Sequence, residues 1–146
     1  MTACIRPKAV CVCWRGDSIL VAPDHDAVKD ETFFGPPGGG IEFGERANDA
    51  VRREFREELD VELVELQLRG VLENLFTHNA EPGHEIVFVF EGRLADPALY
   101  DQDELIGREG TQPFVARWIP LEEFAVAGAP PLYPHGLLEL LRAPAE

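Results

Sequence analysis

Apolar and polar residues alternate along the chain in a way that predicts strands around two helices. Residues 8–14 form an apolar run, and residues 18–21 form another after the turn Arg15-Gly16-Asp17, so a β-hairpin is predicted. Further strands are predicted at about 62–76, 84–94 and 114–119. Residues 23–32 and 95–113 are mostly polar and predict loops.

The strongest helical pattern covers residues 45–59, and leucines at helical spacing predict a closing helix over 135–142. A short helical turn is predicted at 121–124. At 100° per residue, the apolar side chains of the first helix fall on one arc. Its members are Ala47, Ala50, Val51, Phe55 and Leu59. Strands around one strong helix, followed by a terminal helix, predict an α/β fold in which helices cover a mixed sheet.

Three acids of this helix lie on or beside the apolar arc. Glu54 and Glu58 fall within it and Glu57 at its edge, whereas the arginines, Arg53 included, are placed on the outer face. Like charges four residues apart destabilise a helix, and partial burial makes them more unfavourable. A shared divalent cation would remove this conflict, and oxygen ligands favour Mg²⁺ or Mn²⁺. A solvated helix with Arg53–Glu57 and Asp49–Arg53 salt bridges is the alternative.

A glycine-rich segment, residues 35–40, precedes the helix. Two prolines and three consecutive glycines exclude a helix or a central strand, and they predict a shaped loop whose backbone approaches another group closely. Such a loop, leading into a helix N-terminus, presents N–H groups to an anion. Glu42 and Glu45 add carboxylates beside it. The loop and the acidic helix together predict a site for a metal-bound phosphate.

Composition limits the classes of partner. The chain has 146 residues, which predicts one domain over 1–146, and its 13 basic and 27 acidic residues give a net charge of −14. This charge argues against a nucleic-acid polymer or an anionic membrane as partner. The apolar stretches are too short to span a membrane, and we expect no signal peptide at the N-terminus. The odd cysteine count, Cys4, Cys11 and Cys13, predicts structural thiols in a reduced, cytoplasmic protein.

The spacing within residues 39–61 resembles the signature of the Nudix hydrolases. That signature is Gly, five residues, Glu, seven residues, Arg-Glu, an apolar residue, any residue, Glu-Glu, any residue, Gly and an apolar residue. The matching positions are Gly39, Glu45, Arg53, Glu54, Phe55, Glu57, Glu58 and Val61. Asp60 replaces the glycine, just past the helix where φ is often positive, and we expect only a small loss of stability from it. Residues 117–124 also resemble this family.

The resemblance implies a Nudix-type α/β/α sandwich with a mixed β-sheet and a MutT-like pyrophosphatase activity. Its substrate would be a nucleoside diphosphate linked to a group X: a nucleotide sugar, ADP-ribose, a dinucleoside polyphosphate or a nucleoside triphosphate. Water would attack phosphorus with the help of Mg²⁺ or Mn²⁺. The implied metal ligands are Glu54, Glu57 and Glu58, with Glu45 bonding within the motif or joining the metal shell. Arg53 would orient these acids.

Other implied features concern the substrate and the proton acceptor. Gly38 and Gly39 would shape the phosphate-side loop. The general base could be one of the signature glutamates, Glu54, Glu57 or Glu58, or a later acid, Glu104 or Glu109. Arg69 and Arg93 could contact phosphates, and Gly83-His84-Glu85 could contribute to specificity. An apolar slot for the base could use aromatic residues that would otherwise belong to the core. These are Phe33, Phe34, Phe43, Phe76 and Trp118.

The resemblance leaves two other functions open. One is a nucleotide-binding module of the same fold that does not cleave its ligand, although no signature residue needed for cleavage is lost. The other is an isoprenoid diphosphate isomerase, which would need an added catalytic cysteine. Members of the family are often dimers, so a homodimer is expected without a defined interface.

Overall fold

A computed structural model describes residues 3–144, in which the chain forms eight β-strands and two α-helices. The strands are Ile5–Arg15 (β1), Ser18–Asp26 (β2), Glu31–Gly35 (β3), Gly38–Gly40 (β4), Leu63–His78 (β5), Glu81–Leu94 (β6), Glu104–Glu109 (β7) and Gln112–Pro120 (β8). The helices are Ala47–Leu59 (α1) and Leu137–Arg142 (α2), with one-turn 3-10 helices at Pro97–Asp101 and Leu121–Ala125. No helix within 3–144 has the length and apolar character needed to cross a membrane.

The strands form one mixed sheet in the order β5-β6-β1-β2-β8-β7, with β3 beside β2 and β4 beside β1. β1 runs parallel to β6, and the other pairs are antiparallel. β1 and β2 pair only beside their turn, where Trp14 faces Ile19 and Arg15 faces Ser18. Farther from the turn, β1 pairs with β4 and β2 pairs with β3. The sheet therefore divides there into two branches.

A helix packs on each face of the sheet, which confirms the predicted α/β/α sandwich. Ala9, Cys11 and Cys13, alternate residues of β1, are buried in the core beneath α1. The even-numbered Val10 and Val12 belong to the core beneath α2. The apolar run of β1 is continuous because both of its faces are buried. Cys11 and Cys13 are thus buried structural thiols, whereas Cys4 is exposed.

The loop predictions for residues 23–32 and 95–113 are wrong, because both segments contain strand residues. Residues 23–32 contain the end of β2 and the start of β3, joined by a turn that the buried Asp26 side chain organises. Its carboxylate accepts hydrogen bonds from the N–H groups of Val28 and Lys29, each at 3.0 Å. Residues 95–113 contain all of β7, an edge strand whose exposed positions are the charged Glu104, Arg108 and Glu109 together with Ile106. The polar residues of the first segment include the side chain that caps a turn, and those of the second lie on an exposed edge strand. A polar composition therefore did not indicate a loop in either segment.

The glycine segment also differs from its prediction, because Gly38–Gly40 is a short strand paired with β1. α1 and α2 each begin two residues later than predicted, and β5 and β6 extend to a tight turn at Asn79 and Ala80. Asp60 ends α1 in the left-handed conformation, with φ 56° and ψ 41°. Its N–H donates to Arg56 O at 3.1 Å, which satisfies a carbonyl of the last turn. The expected positive φ at this position is confirmed.

Candidate functional site

Arg53 is the centre of an ion-pair network at the start of α1. Its guanidinium donates to both oxygens of Glu45, at 2.8 and 2.9 Å. It also donates to Glu54 at 2.9 Å, to Glu57 at 3.2 Å and to Gly40 O at 3.0 Å. The hydrogen bonds from Arg53 lower the pKa of Glu45 to about 2. The network holds three signature glutamates together as charged groups.

The placement of Arg53 on the outer face of the helix was wrong. Its side chain is only 22% exposed, because it extends back across the segment that precedes α1. The i, i+4 pair with Glu57 predicted for a solvated helix does form. The Arg53–Glu57 pair is one contact of a larger network around Arg53. The predicted Asp49–Arg53 pair does not occur among the ion pairs of residues 3–144.

Gly39 approaches the carboxylate of Glu54 closely. A Cβ atom at this position would lie 2.5 Å from the carboxyl carbon of Glu54. Gly38 lies against the backbone of Ala9 and has a φ of 154°, where a side chain is disfavoured. The predicted close approach of the glycine backbone is therefore confirmed, and the group approached is a carboxylate on α1.

Glu58 is in an unfavourable electrostatic environment. Burial is the largest effect that raises its pKa to about 8, followed by its hydrogen bond with Glu54 and the charges of Glu54 and Glu109. Lys8 acts in the opposite direction. The helical pattern predicted this conflict between Glu54 and Glu58, which the structure retains.

A groove of about 760 Å³ runs along the glycine strand and these acids. Glu54, Glu57, Glu58 and Glu109 contribute acidic groups to its wall. Three basic residues that sequence reasoning missed, Arg6, Lys8 and Arg108, also line it. Arg6 and Lys8 are two residues apart in β1, so the alternation of a strand could have placed them on one face. The groove thus places acidic and basic groups together, as a phosphate bound with a cation would require.

An adjoining pocket of about 340 Å³ shares Arg6, Lys8, Asp24 and Glu109 with the groove. Its aromatic lining consists of Phe33, Phe76, His78 and Tyr133. The rings of Phe33 and Tyr133 pack edge to face, with centroids 4.9 Å apart. Flat aromatic surfaces beside polar groups can hold a planar ring.

Only two of the five aromatic candidates line this pocket. Phe33 and Phe76 do, but Phe34 packs against Phe124 on the other side of the sheet, and Phe43 is fully exposed. Trp118 is a buried residue stacked on Tyr100. Tyr133, which sequence reasoning missed, comes from the segment before α2 and carried no local signal.

The segment Gly83-His84-Glu85 contributes to the same pocket. Gly83 lies opposite Phe76 across β5 and β6, where the Phe76 ring occupies the space a Cβ atom would need. Glu85 is 8% exposed, accepts a hydrogen bond from Asn74 Nδ2 at 3.3 Å and lies 3.6 Å from Lys8 Nζ. This carboxylate therefore fixes Lys8 at the boundary between the pocket and the groove.

The remaining basic and acidic candidates divide between the groove and the rest of the protein. Arg69 donates to the carbonyls of Leu140 and Ala143 at the end of α2, and Arg93 pairs with Glu65. Both arginines therefore have structural partners outside the groove. Glu104 pairs with Arg117 at 3.0 Å and does not line the groove, whereas Glu109 does.

The glutamates of the groove have the ligand chemistry that a hard divalent cation requires. Within residues 3–144 no three metal-ligating side chains already converge as a metal site, because Arg53 draws three of the glutamates to itself. The donors are nevertheless all oxygen, and the raised pKa of Glu58 marks a position where added positive charge is stabilising. Gly39 leaves the space around the Glu54 carboxylate free of a side chain. A divalent cation would thus relieve the repulsion between these acids.

Comparison with known proteins agrees with this arrangement. The family model described as NUDIX domain matches residues 5–140. A NUDIX hydrolase from Nitrosomonas europaea has a similar structure, with a TM-score of 0.67, 18% identity, and coverage of 94% of this chain and 86% of that one. A MutT NUDIX hydrolase from Burkholderia pseudomallei gives 0.60 at 21% identity, covering 82% and 85% of the two chains. At these identities the likeness to both structures concerns the fold.

Proposed function

Since this chain belongs to the NUDIX domain family and is a Nudix hydrolase, we propose that it uses a divalent metal to hydrolyse the pyrophosphate bond of a nucleoside diphosphate linked to a group X. The observation that carries the proposal is the groove in which the glutamates held by Arg53 face Arg6, Lys8 and Arg108. Acidic groups can hold a cation there, and basic groups can neutralise phosphoryl oxygens.

The signature glutamates have distinct roles in this proposal. Glu54, Glu57 and Glu58 would hold Mg²⁺ or Mn²⁺, and the ion would supply positive charge to the phosphoryl oxygens and lower the pKa of the attacking water. Glu45 contributes through Arg53, which fixes the orientation of Glu54 and Glu57 by charge-assisted hydrogen bonds.

The glycines and basic residues position the diphosphate. Gly38 and Gly39 keep the groove wall free of side chains next to Glu54, so that phosphate can approach the acids. Arg6 and Lys8 lie between the groove and the aromatic pocket, and Arg108 lies along the groove itself. Together they neutralise the diphosphate in a protein whose net charge is −14.

The aromatic pocket receives the base or the group X. Phe33, Phe76 and Tyr133 provide flat apolar contacts, and Asn74 and Glu85 provide polar ones. Glu109 would accept the proton of the attacking water, because of the two later acids considered, Glu104 and Glu109, only Glu109 lines the groove.

The substrate and location follow from charge and cysteine chemistry. A small nucleotide fits the groove and pocket, whereas the net charge of −14 opposes a nucleic-acid polymer. The cytoplasm suits a protein whose core contains two unpaired thiols, Cys11 and Cys13.

The test is hydrolysis of a nucleotide panel by purified protein with Mg²⁺, with Mn²⁺ and with EDTA. The panel holds ADP-ribose, nucleotide sugars, dinucleoside polyphosphates, and normal and oxidised nucleoside triphosphates. The variants are Glu58→Gln and a control, Glu65→Gln, on the exposed surface. We expect metal-dependent turnover of at least one class, lowered about a hundredfold or more by Glu58→Gln and unchanged by Glu65→Gln. Equal inertness of all three proteins, with a nucleotide still bound, would favour the non-catalytic binding module.

A further inference from the structure

One ring of the aromatic pocket, Phe33, lies between two carboxylates. Asp24 is the cross-strand partner of Phe33 in the β2–β3 pair, and Glu31 precedes Phe33 by two residues in β3. The three side chains therefore share one face of this branch of the sheet, and all three line the pocket. Neither carboxylate belongs to an ion pair within residues 3–144. The face around Phe33 thus carries negative charge that no ion pair neutralises.

The basic side chains of the pocket have other partners. Lys8 Nζ lies 3.6 Å from the carboxylate of Glu85, and Lys29 Nζ lies 4.0 Å from the carboxylate of Asp26. Arg6 lines the end that the pocket shares with the groove, where it faces the diphosphate in the proposed function. The aromatic end of the pocket consequently favours a ligand that brings positive charge of its own.

The rings of the pocket do not form one flat platform. Phe33 meets Tyr133 at 85° and His78 at 87°, with ring centroids 4.9 and 5.6 Å apart. Rings at right angles present their faces in different directions, which suits a compact, rounded group better than a planar base. A cation above an aromatic face is attracted by the electrons of the ring, and quaternary ammonium groups bind among several such rings. The cavity of about 340 Å³ has room for a group of this kind.

We propose that the aromatic pocket binds the group X and that X carries an ammonium group, as in a nucleoside diphosphate linked to an amino alcohol. The inference rests on the proposed function, because the pocket adjoins the groove that would hold the diphosphate. The ammonium lies against Phe33, where Asp24 and Glu31 add the attraction of their charges to that of the ring. A sugar would donate hydrogen bonds to these carboxylates without neutralising them. Attack of water at phosphorus would break the P–O–P link and release a nucleoside monophosphate and a phosphorylated amino alcohol.

A matched pair of ligands isolates the contribution of the charge. The first is CDP-choline, and the second is its carbon isostere, in which a carbon atom replaces the quaternary nitrogen and the alcohol is 3,3-dimethylbutanol. The two compounds have nearly the same size and shape but differ by one positive charge. We measure their binding to the wild type by titration calorimetry in EDTA, so that turnover does not interfere. We expect CDP-choline to bind about tenfold more tightly or better. Equal affinities, or no measurable binding of CDP-choline at millimolar concentration, would overturn the proposal.

Substitutions locate the preference within the pocket. Glu31→Gln keeps the shape of the side chain but removes its charge, and Phe33→Leu keeps an apolar residue but removes the ring. Both should bring the ratio of the two affinities closer to one. Glu81→Gln, at an exposed position that does not line the pocket, is the control and should keep the wild-type ratio. The ratio compares two ligands on one preparation, so a partial loss of folded protein leaves it unchanged. A wild-type ratio in both Glu31→Gln and Phe33→Leu would contradict the assignment.

Turnover with Mg²⁺ separates this inference from the proposed function. Both compounds join the nucleotide panel, and we expect kcat/KM to be higher for CDP-choline than for the isostere. Hydrolysis of other nucleotides, without a preference between these two compounds, would refute the cationic group X and leave the hydrolase in place. Tighter binding of CDP-choline by a protein that hydrolyses no nucleotide would support the ligand chemistry and refute the hydrolase.

Discussion

Replacing Glu58 by glutamine should stabilise the metal-free protein at alkaline pH while it removes activity. Glu58 has a pKa of about 8 instead of 4.5, because it is buried and next to Glu54 and Glu109. The folded state therefore binds this proton more tightly than the unfolded chain does. The free energy of unfolding consequently falls as the pH rises from 4.5 to about 8, and the full loss is present above that interval.

The expected size follows from the displacement of the pKa. One pKa unit corresponds to about 1.4 kcal/mol, so the shift from 4.5 to about 8 has an upper limit of roughly 5 kcal/mol. The groove is open to water, which screens part of this energy. We therefore expect Glu58→Gln to raise the free energy of unfolding by about 2–3 kcal/mol near pH 8 and by less than about 0.5 kcal/mol near pH 4.5.

The assay is urea unfolding in EDTA across this pH range, followed by the fluorescence of the buried Trp118. Chelation matters because a bound cation would stabilise the wild type and mask the repulsion. Addition of Mg²⁺ should therefore stabilise the wild type more than Glu58→Gln. Glu65→Gln, at an exposed site, serves as the control and should follow the wild-type curve. A Glu58→Gln protein no more stable than the wild type near pH 8 would refute the electrostatic argument.

Three other substitutions test the positions of groups around the groove. Gly39→Ala places a Cβ 2.5 Å from the Glu54 carboxyl carbon and should lower kcat at least tenfold. Gly40→Ala, whose Cβ would meet only an Arg6 nitrogen at 3.8 Å, should lower kcat much less, and an equal loss in both variants would contradict the steric argument. Arg53→Lys keeps the positive charge but loses most of the hydrogen bonds to the glutamates. We expect the free energy of unfolding, measured with urea, to fall by about 2 kcal/mol, and kcat to fall without a matching rise in KM. Wild-type kinetics in this variant would contradict the positioning role of Arg53. Gly107→Ala would place a Cβ 2.8 Å from the Glu58 carbonyl oxygen and should destabilise the fold by about 1–3 kcal/mol, which a thermal melt unchanged from wild type would disprove.

The sequence predicted the site best on helix α1, where residue spacing alone determines which side chains share a face. The helical arc placed Glu54 and Glu58 on the packed side of α1, and their partial burial agrees. The same projection misplaced Arg53, because it describes the direction of the Cα–Cβ bond and not the reach of a long side chain. Its guanidinium meets Glu45 eight residues away, outside the helix.

The aromatic pocket could not be assembled from sequence. Phe33 and Phe34 are neighbours in β3 and point to opposite faces, so which one lines the pocket depends on how β3 pairs with β2. Tyr133 reaches Phe33 from 100 residues later in the chain, and no local pattern indicates that contact. Arg69 and Lys8 show the same limit, since only the packing of α2 and the pairing of β1 with β4 decide which basic residue lines the groove.

The fold was predictable where strands are buried on both faces and difficult at the edges of the sheet. β1 reads as an apolar run because two helices cover it. β7 was not predicted, because three of its four exposed residues are charged and only Leu105 and Gly107 are buried. The β2–β3 turn was hidden in a polar segment because Asp26, although charged, is only 2% exposed and serves as a hydrogen-bond acceptor for that turn.

In the function proposed for this protein, the groove hydrolyses a pyrophosphate bond by metal-assisted attack of water at phosphorus. The most direct measurement is turnover of the preferred nucleotide in H₂¹⁸O, with Mg²⁺ and with EDTA, followed by mass spectrometry of both products. We predict one ¹⁸O atom in a phosphate group of one product, formation of products only with the metal, and about a hundredfold less labelled product with Glu58→Gln. Products formed at the same rate in EDTA, or label found outside the phosphates, would contradict the account.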